Sequence, residues 1–314
     1  MAEPGAAAFE HRPVMLAEVV ATFEPVPEGA VVDATVGGGG HAEALLERLP
    51  QISLIGLDRD PDAIAAAESR LERFGARARL VHARFDRLGE VTARLGVGPL
   101  SGVLFDLGVS SYQFDRPERG FSYRNPAPLD MRMDPGEPLS AADVVNTYDE
   151  RRLALILRRY GDEPQAARIA RAIVRHRPVT DTGELAEIVR AAIPAALRRH
   201  GRHPARRTFQ AIRIEVNGEL DVLPPALDAA LDAAGPHERV AVLAYHSGED
   251  RLVKTRFRHA VDGGCTCPPR LPCVCGARGR ARFVTRGARR PSSDEVAANP
   301  RAEAARLRAV ELLP

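Results

Sequence analysis

Four consecutive glycines, Gly37–Gly40, sit between an apolar stretch and a helical one, and that placement narrows the possible folds sharply. Ala30-Val31-Val32-Asp33 reads as a strand, Glu43–Leu49 as the helix beyond the turn. Glycines at such a junction let the backbone turn tightly and approach a ligand closely. The alternation then repeats. Ser53–Asp58 is a second strand, Pro61 opens the next helix at a first-turn position that proline tolerates, and Arg79–His82 and Val103–Asp106 are the third and fourth strands. Strands separated by helices predict an α/β fold with a parallel sheet covered on its faces.

After Asp106 the pattern changes. Gly108–Pro138 is rich in Gly, Pro, Ser and Asp and reads as an ordered loop. From Ser140 to about Arg207 the chain is helical, in pieces Ala141–Tyr160, Pro164–Arg175 and Thr182–Arg199. Alternation returns with helices near Phe209–Leu220 and Ala226–Ala234, the strand Val240–Tyr245, helix Glu249–His259, and the strands Arg282–Thr285 and Leu307–Leu312. The expected organisation is a discontinuous α/β domain, 1–111 and 208–314, interrupted by a loop and an all-helical insert, 112–207.

Charge follows the same division. Residues 1–150 hold 14 basic and 24 acidic side chains, residues 151–213 hold 15 and 5, and residues 214–314 hold 15 and 13. The net charge of +2 thus conceals a middle block of +10, which suits a polyanionic partner or, equally, a set of solvated helix faces. No apolar run approaches a membrane span, and Met1–Arg12 lacks a signal-peptide core, so a cytoplasmic protein with no membrane association is expected.

The residues around the turn indicate a cofactor. Asp58 ends the second strand 21 residues beyond Gly37, where nucleotide-binding sheets place an acid to accept hydrogen bonds from ribose hydroxyls. His41 breaks the dinucleotide glycine spacing, and Asp33 beside the turn repels a pyrophosphate. The same carboxylate attracts an ammonium or a sulfonium, which favours S-adenosylmethionine. Phe85, just past the third strand, is placed to cover an adenine ring, with core packing as its alternative role.

Asp106-Leu-Gly-Val-Ser110-Ser111 ends the fourth strand and borders the same crevice. A carboxylate there suits methyl transfer to an exocyclic amino group: an acceptor draws the amino hydrogens out of the base plane and frees the nitrogen lone pair. Asp106 is therefore the catalytic candidate, and Tyr112, Phe121 and Tyr123 are candidates for stacking surface; the plain alternative for Asp106 is a turn cap. Arg206 and Arg207 suit RNA phosphates, or are solvated arginines at a helix start, and His246 either faces the substrate or is structural. Cys265-Thr-Cys267 and Cys273-Val-Cys275 place four thiols within eleven residues, open to zinc, a reduced thiol cluster or a reversible redox pair.

Several blocks together resemble one family. His11-Arg-Pro-Val-Met-Leu16, Gly37–His41, Gly56-Leu-Asp58-Arg-Asp60-Pro61, Asp106–Ser111 and Gln113 are similar to the bacterial ribosomal small-subunit methyltransferase H family, also called MraW. So are Glu118–Ser122, Pro128–Asp134, Arg168–Ile173, His203–Arg213, Tyr245–Ser247, Glu249–Arg251 and Asn299–Arg301. The resemblance implies a Rossmann-like class I S-adenosylmethionine methyltransferase sheet with an inserted all-helical substrate-recognition domain. It implies N4-methylation of a cytidine in the decoding region of 16S rRNA, with the small ribosomal subunit as partner. It also implies cofactor contacts at Gly39, Gly40, His41, Asp58, Phe85, Asp106 and Gln113. Rival readings are a ribosome-binding assembly factor that keeps the fold without turnover, and a methyltransferase for DNA or a small molecule. Gly248 departs from the family, which usually carries a bulky apolar residue there, and the cysteine cluster is not found in every member.

Overall fold

The central strands of the sheet come from runs apolar enough to be covered on both faces. In a computed structural model that describes residues 13–110, 113–114, 116–197, 203–268 and 274–314, strand β1 is Gly29–Asp33, β2 Ile52–Asp58, β3 Ala78–His82 and β4 Leu100–Asp106. Strand β5 is Ala234–Ala244, β6 Ala281–Phe283 and β7 Arg306–Leu312. Among the described residues they form one seven-stranded sheet in the order β3-β2-β1-β4-β5-β7-β6. Strands β1 to β5 are parallel, and β7 runs antiparallel to both β5 and β6.

Side chains alternate across the sheet and each set meets its own helices. Val31, Leu104, Ala241 and Leu243 pack with α1 (Leu16–Phe23), α2 (Gly40–Arg48) and α3 (Pro61–Leu71). Val32, Val103, Phe105, Val240 and Val242 pack on the other face with α4 (Leu88–Arg94) and two later helices. The α/β expectation therefore holds, while α1, α4 and the short helix near residue 295 are additions to the sequence reading.

The helical stretch makes a third apolar cluster that runs from Phe121 to Val216. It contains α5 (Ala141–Thr147), α6 (Glu150–Gly161), α7 (Ala166–Arg175), α8 (Thr182–Ala192) and α9 (Arg206–Asn217). The expected single helix Ala141–Tyr160 is two helices, because Asp149 adopts extended backbone and caps α6 by accepting from the Arg152 N–H at 2.8 Å. Helix α8 stops short of the expected Arg199, since Pro194 forces Ile193 into the extended region. The chain returns to the sheet through α10 (Glu219–Ala233), α11 (Ser247–Asp262) and α12 (Ser293–Ala298). Helix α10 begins seven residues before the expected Ala226 and carries Pro224 and Pro225 inside it. Among the described residues no helix is long and apolar enough to cross a membrane.

Candidate active site

Three carboxylates occupy the last position of three parallel strands: Asp33 on β1, Asp58 on β2 and Asp106 on β4. Parallel strands put those ends on one edge, and the strand order reverses direction between β1 and β4, where open α/β sheets bind ligands. A cavity of about 1580 Å³ opens there, larger than the few hundred to about 1,000 Å³ of one small-molecule pocket. Gly37, Gly38, Gly40, His41, Asp58, Phe85, Asp106 and Gln113 line it.

The turn is held from below by Asp58. The Gly37 N–H donates to its Oδ2 and the Asp60 N–H to its Oδ1, both at 2.9 Å, so each oxygen keeps a lone pair for a further donor. Burial pushes the Asp58 carboxyl up to about 6 against these two hydrogen bonds. Gly37 has φ 52° and Gly39 φ 81°, left-handed values that favour glycine. A Cβ on Gly40 would stand 2.5 Å from Pro13 Cγ. Gly39, expected to touch the cofactor, is the N-terminal cap of α2 and faces Ala67 and Arg70 of α3 rather than the cavity.

Asp106 is positioned by three neighbours. Its N–H donates to Thr35 Oγ1 at 2.6 Å, and its Oδ1 accepts from the Tyr245 hydroxyl at 2.6 Å. Its Oδ2 lies 3.4 Å from His41 Nδ1. His41 Nε2 meets the Val14 carbonyl at 3.0 Å, and a carbonyl only accepts, so that nitrogen carries a proton. A neutral ring would then turn the Nδ1 lone pair toward a carboxylate. Burial lowers the His41 pKa, but the hydrogen bond and charge of Asp106 and the charge of Asp33 outweigh it, and the net shift is upward. Burial and the adjacent Asp106 hold the Tyr245 phenol well above its usual value, so it stays a donor.

Asp33 departs from the sequence reading. It is 1% exposed, accepts from the Thr35 N–H at 3.2 Å, and does not line the cavity. Burial raises its carboxyl to about 7, with His41 opposing. Its charge bears on His41, Asp106 and Asp58 at the site from beneath the cavity floor. Gln113 lines the cavity, but its amide is occupied, donating to Asp60 Oδ2 at 2.8 Å and accepting from the Ser110 N–H at 3.1 Å. Phe85 lies edge-on to Phe105, with ring centroids 5.9 Å apart.

Sequence reasoning overlooked the anchors of the loop that forms the cavity's second wall. Asp60 is fully buried; besides Gln113 it faces Arg119 at 3.0 Å and caps α3 through the Asp62 N–H. Arg119 also donates to the carbonyls of Arg132 and Met133. Asn217, at the end of α9, accepts from the Met133 N–H and donates to the Met131 carbonyl, both at 2.8 Å. Asp60 before Pro61 reads simply as a helix cap, and Arg119 as one more arginine, so only their convergence reveals the role. Tyr245, beside the nominated His246, was likewise not singled out.

The far wall comes from the helical cluster. Tyr123 stacks on His203 with centroids 4.4 Å apart and meets Phe209 edge-on. Arg124 and Arg206 line the cavity, while Arg207 is exposed beside it; these three make no ion pair among the described residues. Phe121 is buried at 5%, and Tyr112 lies outside the described residues. His246 also lines the cavity, but its Nδ1 accepts from the N–H groups of Gly248 and Glu249, so the ring caps α11. Glu249 stays below the usual carboxylate range despite burial, because His246 and Arg213 face it. In the cysteine loop, the sulfurs of Cys265, Cys267 and Cys275 lie within 4.8 Å of one another, and Cys273 lies outside the described residues.

Residues 8–313 match the profile of the MraW methylase family. The ribosomal RNA small subunit methyltransferase H of Symbiobacterium thermophilum is 53% identical over 308 residues, covering 96% of this chain and 96% of that protein. The protein of the same name from Heliobacterium modesticaldum is 50% identical over 309 residues, covering 96% and 98%. That of Mycobacterium tuberculosis is 52% identical over 328 residues, covering 99% of this chain and 82% of its own length.

Proposed function

Because the chain belongs to the MraW methylase family, we propose that it is a cytoplasmic S-adenosylmethionine-dependent methyltransferase that modifies N4 of a cytidine in the decoding region of 16S rRNA. The observation that carries this is that one cavity joins the glycine turn and Asp58 to Asp106, and continues to an aromatic and arginine wall from the helical segment. The sheet-bearing segments hold the cofactor in this reading, and the helical segment, whose packing continues through α9 past the expected boundary at 207, recognises the RNA.

The residues fit that cofactor. Asp58 keeps lone pairs for two ribose hydroxyls, Phe85 offers an apolar ring, and the glycines leave the backbone open to approach. The acidic strand ends suit a ligand carrying ammonium and sulfonium charges. When bound, S-adenosylmethionine supplies an electrophilic methyl group. Asp106 accepts a hydrogen bond from the cytosine amino group, which turns the nitrogen lone pair toward that methyl. Methylation of that nitrogen would free one of its protons, and Asp106, already hydrogen-bonded to the amino group, is the residue placed to take it and pass it to solvent. His41 and Tyr245 hold the two Asp106 oxygens in place throughout. The target base must leave its stack to reach this depth, and the Tyr123–His203 pair with Arg206 and Arg207 would grip the flanking strand.

Incubation with S-adenosylmethionine labelled in the methyl group tests the reading. Small ribosomal subunits lacking the modification, naked 16S rRNA, DNA and free nucleosides are offered side by side. Label is expected in one cytidine of 16S rRNA, recovered as N4-methylcytidine. Label in DNA alone, or cofactor binding without label in any ribosomal substrate, would refute it in favour of a DNA enzyme or a non-catalytic assembly factor.

A further inference from the structure

We propose that Cys265, Cys267 and Cys275 hold a structural zinc ion. The loop that carries them leaves α11 and returns to β6 through a tight crossing. A Cβ on Gly279 would lie 1.9 Å from the Val261 carbonyl oxygen, and one on Gly263 2.4 Å from that of Arg278. The Arg280 N–H donates to the Ala260 carbonyl at 2.8 Å, which closes the base of the loop. Above that base there is no apolar core: among the described residues none between 264 and 280 is buried, and Val274 is 88% exposed. Hydrophobic packing therefore does not explain why three sulfurs converge.

Their spacing suits a metal. All three lie within 4.8 Å of one another, and Cys265 and Cys275 are 3.6 Å apart. That exceeds the roughly 2.05 Å of a disulfide. It is close to the ~3.8 Å edge of a tetrahedron whose zinc–sulfur bonds are about 2.3 Å. Soft thiolates in tetrahedral array select zinc over hard cations. On binding, each thiol gives its proton to solvent and its sulfur lone pair to the metal, with no redox change. One tetrahedral position is left for a further donor. The ion would pin the end of α11 to β6, the last strand of the sheet, away from the cavity that binds cofactor.

The test uses the full chain, purified in reductant with zinc in the medium and no chelator. Elemental analysis is expected to find about one zinc per chain, with X-ray absorption showing three or four sulfurs at about 2.3 Å. Titrating the wild-type protein with a mercurial should release that zinc stoichiometrically, which makes the result independent of any variant's folding. A C265S/C267S variant should fall below about a tenth of an equivalent, since it removes two of the three sulfurs that converge and the two thiols left on the chain do not hold zinc tightly. Wild-type protein with less than about a tenth of an equivalent, with iron or copper in its place, or with a non-reduced mass two hydrogens light and no metal, overturns the proposal.

Discussion

The cofactor half of the site should weaken in acid, and Asp58 sets where. Its carboxylate must be ionised to accept from both ribose hydroxyls, yet burial has pushed its pKa up to about 6 in the unliganded protein. Lowering the pH below that value protonates the acceptor, and ligand must then displace a proton to bind. The apparent dissociation constant scales as one plus ten to the power of pKa minus pH, giving about twofold weakening at pH 6 and about tenfold at pH 5, relative to pH 8. That is about 1.4 kcal/mol of binding energy. A carboxyl at the ordinary 3.8 would give a change of only about 6% at pH 5 by the same relation. The probe should be 5′-methylthioadenosine, which carries the ribose and adenine but no ammonium or sulfonium, so the ligand does not titrate in this window. Calorimetric titration at pH 5, 6, 7 and 8, with circular dichroism showing the fold intact at each, gives the curve. Asp58→Ala should bind far more weakly and lose the inflection near pH 6, which separates Asp58 from Asp33. A wild-type affinity constant within a factor of about 1.5 from pH 5 to 8 would refute the reasoning.

Three further outcomes follow from other contacts. Asp33, raised to about 7, contributes stability that is present in acid and lost as pH rises through that value. Asp33→Asn should therefore gain on the wild type by about 2–3 kcal/mol in urea unfolding between pH 5 and pH 8, and parallel stability curves would sink the idea. Tyr245→Phe removes the 2.6 Å hydrogen bond that orients Asp106. The expected loss is about 10–100-fold in kcat, the worth of a hydrogen bond to a charged group, with cofactor affinity within about twofold; equal losses in both would show a general disruption instead. Arg119→Ala leaves Asp60 buried without its guanidinium, at a cost of about 3–5 kcal/mol, and should lower Tm by at least about 6 °C. Arg119→Lys should recover part of this, and a Tm within about 2 °C of wild type for the alanine variant would argue that the loop is anchored elsewhere.

Much of the scaffold was legible because its signals are local. Strands β1, β2 and β4 are apolar runs, and a run covered on both faces looks the same wherever it sits in the sheet. Phe85 and Asp58 were readable for a related reason: in a parallel sheet, a residue at or just after a strand end lies at the ligand-binding edge. Helix ends were less secure. The break at Asp149 and the early stop before Pro194 depend on single capping or proline residues that a broad periodicity overrides.

What the sequence alone determined, then, was the α/β order, the interruption by a basic helical stretch, and the glycine turn with Asp58 and Asp106 flanking it. These follow from periodicity, strand ends and charge density, all of which are carried by neighbouring residues. Only the tertiary structure decided that Asp33 lies beneath the site rather than in it, and that Gly39 faces α3. It alone decided that His41 and Tyr245 share Asp106, and that Asp60, Arg119 and Asn217 fasten the loop between 113 and 133. Those partners are separated by tens to more than a hundred residues, and their pairing is chosen by burial. A carboxylate taken from water must find its donors wherever the packed chain has left them.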